Sequence, residues 1–74
     1  MKRKYEFKEF ADRLSQAIYN AGKSQLEVGK ACGLPKNSIY QYTDGTSLPN
    51  AYVLAVLCAV LNVSADHLLF GDKK

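Results

Sequence analysis

Cysteine, proline and histidine are scarce in this chain of 74 residues, with two, two and one copies, and there is no internal repeat or low-complexity tract. Cys32 and Cys58 lie far apart among apolar neighbours, in no CxxC spacing and in no cluster with His67. That pattern speaks against a disulfide framework and against a metal site; the pair reads as reduced, buried small hydrophobes of a cytoplasmic protein. A long hydrophobic run is also lacking. The longest apolar-rich stretch, Ala51 to Leu61, is 11 residues, too short to span a bilayer. The opening MKRKYEF has the basic start of a signal peptide, but polar and charged residues follow where the apolar segment should be. Asn62-Val63-Ser64 matches a glycosylation sequon by spelling only, which has no consequence in the cytoplasm. No paired-carboxylate site, nucleophile–base arrangement or glycine-rich phosphate loop is present, so neither catalysis nor a cofactor is expected.

What is there suffices for one small globular domain. The hydrophobic fraction of 47% is ordinary, and the length is near the lower limit for burying a self-sufficient core. A single domain is expected over 1–74, with a short basic arm at 1–6 and a helical core at 7–71. The net charge of +3 is unevenly placed. Residues 1–36 hold eight Lys/Arg against four Asp/Glu, and residues 37–74 hold two against three. A basic half favours an anionic partner such as nucleic acid or a membrane surface, although ordinary solubilising charge gives the same count.

Helical spacing dominates the pattern, and no stretch alternates with period two for long. Phe7, Phe10, Ala11, Leu14, Ile18 and Ala21 recur on one face, with Gly22 as a stop. Ser24 with Glu27 three residues on predicts a capping box opening a second helix, which carries Leu26, Val28 and Cys32 and ends at a left-handed Gly33. Pro35 suits the first turn of a third helix running to about Thr43, with Ile39 and Tyr42 inward and Gly45 as terminator. Pro49-Asn50 opens a fourth helix through Leu61. Ser64 caps a short fifth one, with Leu68, Leu69 and Phe70 inward. The expectation is an all-α, five-helix domain whose core holds Phe10, Leu14, Ile18, Val28, Cys32, Leu34, Ile39, Tyr42, Leu54, Leu57, Cys58, Leu61, Leu68 and Leu69.

The run GLPKNSIYQYTDG, residues 33–45, has little to bury. It is either a solvated connection or a helix whose outer face touches something polar. The three-residue turn Gly33-Leu34-Pro35 forces the second and third helices to cross, with Gly29 and Ala31 small where their axes approach. Val28, Cys32, Leu34, Ile39 and Tyr42 then form a buried seam, and the other side of the third helix is left bare and polar. This is the pattern of a helix-turn-helix laying that face in a DNA groove.

From Gln25 to Asp44 the sequence resembles the lambda-repressor-like (Cro-type) DNA-binding domains, in Gln25, Gly29, Gly33 and the apolar positions Val28, Cys32, Leu34, Ile39 and Tyr42. The likeness continues through Gly45, Pro49, the leucine-rich helix and the ending NVSADHLLFG. The resemblance implies a compact five-helix fold and a bacterial or phage transcriptional regulator, a repressor acting as a homodimer on an inverted-repeat operator in double-stranded DNA. It implies no small-molecule effector and no membrane. By position, Lys36, Asn37, Tyr40 and Gln41 would contact base edges. Asn and Gln suit adenine, Lys suits guanine O6/N7, and Tyr suits a thymine methyl or a phosphate. Lys23, Ser24, Gln25, Ser38, Thr43, Thr46 and Ser47 would contact the phosphate backbone.

Two departures from the family stand out. The loop after the third helix, where relatives often carry Lys or Arg, reads Thr46-Ser47 here, with Asp44 adjacent. The fourth helix places Tyr52, Val56 and Ala59 at outward positions, which marks either a contact surface or a seat for the amino-terminal segment. That face, or the last helix with Ala65 and His67, is the candidate dimer or partner surface. The competing reading is a protein-interaction module on the same fold, such as an antitoxin or a regulator's partner.

Overall fold

The computed structural model describes residues 7–35 and 37–71, and of Phe7 only the backbone. The basic arm at 1–6 and the base contact expected of Lys36 therefore lie outside the described residues. Five helices follow in order, α1 (Phe7–Asn20), α2 (Gln25–Ala31), α3 (Ser38–Asp44), α4 (Ala51–Leu61) and α5 (Ala65–Phe70), with no strand among the described residues.

Helices α2, α4 and α5 begin on devices written locally in the sequence, and α2 ends on one. At α2, Glu27 N–H donates to Ser24 Oγ (3.1 Å) and Ser24 N–H donates to Glu27 Oε1 (2.8 Å), which completes the capping box. Val53 N–H donates to Asn50 Oδ1 (2.8 Å) to cap α4, and His67 N–H donates to Ser64 Oγ (3.0 Å) to cap α5. Gly33, at φ 71°, closes α2: its own N–H reaches Lys30 O and the next N–H, of Leu34, reaches Gly29 O at 2.9 Å. A side chain at that φ would strain the turn that redirects the chain into α3.

The α3 boundary differs from the sequence expectation. Pro35 precedes the helix and contributes a turn, its carbonyl accepting from Ser38 N–H at 3.1 Å, and Asn37 at φ −91°, ψ −5° is the flanking residue. Helix α3 then runs on to Asp44 and ends at Gly45 (φ 82°). Proline's missing N–H is equally at home in such a turn, so its presence did not locate the first helical residue.

The core is one cluster. Phe10, Leu14, Ala17 and Ile18 of α1 meet Val28 of α2, Ile39 of α3, Leu57 and Leu61 of α4, and Leu68 of α5. Cys32, Tyr42, Leu54 and Cys58 pack half-buried around it. Leu34 is half-buried in a neighbouring groove lined also by Leu26, Gly29, Lys30, Pro35 and Ile39. Three expectations are corrected here. Leu69 is 40% exposed and Phe70 65% exposed, because α5 turns only Leu68 to the core. Ala31 is exposed, so the close approach of α2 and α3 rests on Gly29 alone, where an added Cβ would lie 3.4 Å from Ile39 Cγ2. Within α4, Val56 is half-buried, and Ala55 shares the exposed strip with Tyr52 and Ala59.

Helix α1 braces the whole. It packs against both α3 and α5. Its first turn crosses the end of α3 so closely that a Cβ on Gly45 would sit 3.6 Å from the Lys8 backbone. At its middle, Arg13 Nε donates to Leu68 O (2.9 Å) and Arg13 Nη2 to Leu69 O (2.7 Å), capping the carboxyl end of α5.

Candidate nucleic-acid interface

Helix α3 has two unlike sides. Ile39 is 1% exposed and faces the core, while Asn37, Tyr40 and Gln41 are exposed together on the outer side. Asn37 makes no side-chain cap to the helix it precedes, which leaves its amide turned outward. The backbone beneath Gln41 is fixed: its carbonyl accepts from Gly45 N–H, from Thr46 N–H at 3.0 Å and from Ser47 N–H at 3.4 Å. Three donors on one carbonyl lock the start of the α3–α4 loop against the helix and hold Thr46 and Ser47 beside the outer face.

The amino-terminal end of α2 adjoins the same region. Lys23 is exposed; Ser24 is exposed with its hydroxyl committed to the capping box. Gln25 is half-buried, and its Oε1 accepts from Thr43 Oγ1 at 3.1 Å, tying α2 to the last turn of α3. The structure thus brings Gln25 and Thr43 together and sets Asn37, Tyr40 and Gln41 on one exposed strip. Ser38 is half-buried at the start of α3. Of the remaining candidates, Tyr52 is 76% exposed on α4, and Ala65 and His67 are half-buried on α5.

Electrostatics at this face are sparse. Among the described residues, the cations Lys8, Arg13, Lys23 and Lys30 stand against the carboxylates Glu9, Asp12, Glu27, Asp44 and Asp66. Lys8 is drawn to Asp12 (3.9 Å) and Arg13 is within 4.0 Å of Glu9. The excess positive charge of the chain lies in residues 1–6, Lys36 and residues 72–74. Burial raises the thiols of Cys32 and Cys58 above their ordinary value. No group of three or more His, Cys, Asp or Glu among the described residues could hold a metal ion.

Two short helices joined through a turn at Gly33, with an apolar inner seam and a polar outer strip, are the shape shared by helix-turn-helix proteins, and residues 16–68 match the family model described as helix-turn-helix. The chain belongs to this helix-turn-helix family. A solved structure of similar fold is the P22 c2 repressor protein in complex with synthetic operator 9T in the presence of Tl+. It matches with a TM-score of 0.80 and 28% identity over 85% of this chain and 96% of its own. No curated protein sequence matches.

Sequence reasoning about this helix-turn-helix protein named Thr43 only as a phosphate contact, without its link to Gln25, and did not single out Arg13. The Thr43 hydroxyl faces Gln25 and its own helix carbonyls, and Arg13 spans from α1 to the end of α5. A threonine late in a helix carries a weak local signal, because its hydroxyl commonly bonds a carbonyl three or four residues back. Arg13 has none: its partners lie 55 and 56 residues away.

Proposed function

We propose that the protein is a sequence-specific transcriptional regulator of the repressor type that binds double-stranded DNA by laying α3 in the major groove. The observation that carries this reading is the exposed strip of Asn37, Tyr40 and Gln41 directly opposite the buried Ile39, in a chain of this family. The P22 c2 repressor, whose fold this chain shares, was solved on an operator. Asn37 and Gln41 pair with base edges, Tyr40 contacts a thymine methyl or a phosphate, and Lys36 reaches guanine. Lys23, Ser24, Gln25, Ser38, Thr46 and Ser47 line the phosphate track on either side.

In this reading the regulator works as a homodimer on an inverted repeat in the cytoplasm, and its activity is binding, with no catalytic step, cofactor or small-molecule effector. One seven-residue helix spans only a few base pairs, so two copies related by a two-fold axis give a site long enough to be found in a genome. No helix of the described residues is long and apolar enough to cross a membrane.

Selection of bound sequences from random duplex DNA tests the reading. The expected product is an inverted repeat whose half-sites lie about one helical turn, roughly 34 Å, apart. Recovery of no sequence above the background of non-specific binding would overturn it, and capture of DNA with no preference would leave only a basic protein.

A further inference from the structure

Beside the α2–α3 turn lies an open groove of about 410 Å³, and none of Asn37, Tyr40 and Gln41 lines it. Its buried floor is Gly29 and Ile39, and Leu26, Leu34 and Pro35 wall it. Leu26 is 44% exposed. A single exposed leucine is ordinary, but this one borders a continuous apolar hollow. Phosphate oxygens gain nothing from such walls, so the groove is a poor seat for a DNA backbone. Among the described residues that line it, Lys30 alone carries charge. It follows Leu26 by one turn of α2, is exposed, and forms no ion pair with any described residue. The one carboxylate of α2, on Glu27, is engaged elsewhere, accepting from Ser24 N–H at 2.8 Å.

We propose that this groove docks an acidic amphipathic helix of a partner protein. Two apolar side chains of that helix, three or four residues apart, fill the hollow between Leu26 and Leu34, and an Asp or Glu beside them meets the Lys30 ammonium. Charge selects the occupant. An unpaired ammonium at the rim of an apolar hollow is matched by a carboxylate next to an apolar side chain, and it repels a basic segment. The run of Leu26 and Lys30 along α2 gives the groove a direction, which suits a helix laid alongside it. The surface adds a protein partner to the DNA-binding reading and does not depend on that reading.

The test selects binders to the full chain from a displayed library of random peptides of roughly 16 residues, long enough for four helical turns. The expected peptides share two apolar residues three or four apart with Asp or Glu beside them. The best of them, made synthetically, should bind Lys30→Glu about tenfold more weakly than the wild type, attraction having become repulsion. A copy with its acids replaced by Lys should prefer Lys30→Glu, a reversal that general loosening of the fold cannot produce. Leu26→Gln should weaken both peptides and still select the wild-type DNA motif, since Leu26 is on neither the base-reading strip nor the phosphate track. Recovery of no peptide, or of peptides indifferent to Lys30→Glu, overturns the proposal. So does a changed DNA motif in Leu26→Gln, which would make the groove part of the DNA surface. Binding of 4-phenylbutyrate at Gly29 and Lys30 amides with no peptide recovered makes it a small-ligand pocket instead. Loss of two-copy loading on a palindrome in Leu26→Gln and Lys30→Glu makes it the seat of a second copy.

Discussion

Gln41 joins a free side chain to a fixed backbone. Its amide is exposed on the outer face of α3, and its carbonyl is bound by three N–H groups of the following loop. A reading residue gains from such an anchor, since less motion must be frozen when the amide meets a base. Gln41→Ala is expected to relax base preference at one position of each half-site and to weaken binding there by about 1–3 kcal/mol. Repeating the selection with the variant checks this; an unchanged motif excludes direct readout by Gln41. The cysteines give a prediction of a different kind. Burial holds the folded-state pKa of Cys32 and Cys58 above the ordinary 9.0, so the folded chain keeps thiol protons that the unfolded chain has released. Stability is therefore full below the ordinary thiol pKa and declines as pH rises through and beyond it. Urea midpoints from pH 7 to pH 10 should fall for the wild type and fall less for the Cys32→Ser/Cys58→Ser double variant. Equal slopes would show that the thiols take no part.

At the scale of elements, short helices depend on their ends. Helix α2 is seven residues long, too short to persist alone, and its start is held by the reciprocal Ser24–Glu27 bonds. Ser24→Ala should lower stability by about 1 kcal/mol in urea unfolding. The six-residue α5 is held at its other end by Arg13, whose fork meets two carbonyls at once. Arg13→Lys retains the charge but not the fork, so it is expected to lose most of what Arg13→Ala loses, about 2 kcal/mol. A lysine variant as stable as the wild type would make the charge, and not the geometry, responsible. These elements also show what was legible in the sequence. The caps at Ser24, Asn50 and Ser64 and the turn at Gly33 are settled by residues three or four apart, and all were readable. The seam of Val28 and Ile39 followed from those boundaries. The rotation of α5 was not readable, because six residues make fewer than two turns and LLF is apolar whichever side faces in. Nor was the Thr43–Gln25 bond, which exists only once two helices have been set across each other.

At the scale of the whole molecule, the described residues offer little positive charge to a phosphate backbone. Its described residues carry fewer cations than carboxylates, the Thr46-Ser47 loop is neutral, and Asp44 lies beside it. A single copy should therefore bind DNA weakly at physiological salt, a shortfall that the proposed homodimer would make good. The contact between its two copies must be self-complementary under a two-fold axis. Two exposed apolar areas compete for it: Tyr52 with Ala55 and Ala59 on α4, and Leu69 with Phe70 at the end of α5. The α5 end has the stronger case. Phe70 offers a large aromatic side chain, 65% exposed, on a helix end that Arg13 fixes, and an interface gains most from anchors that are ordered beforehand. The α4 strip is mostly alanine and adds little apolar area beyond Tyr52. Sedimentation of the wild type, Phe70→Glu and Tyr52→Glu, each alone and with a palindromic duplex, distinguishes the two. Both substitutions fall on exposed side chains, so the fold should survive them. Phe70→Glu is expected to leave one protein per duplex and to cost affinity on the palindrome but not on a single half-site. Tyr52→Glu should still load two copies together. The reverse result moves the interface to α4, and a wild type that binds one half-site as tightly as the palindrome removes the need for a dimer.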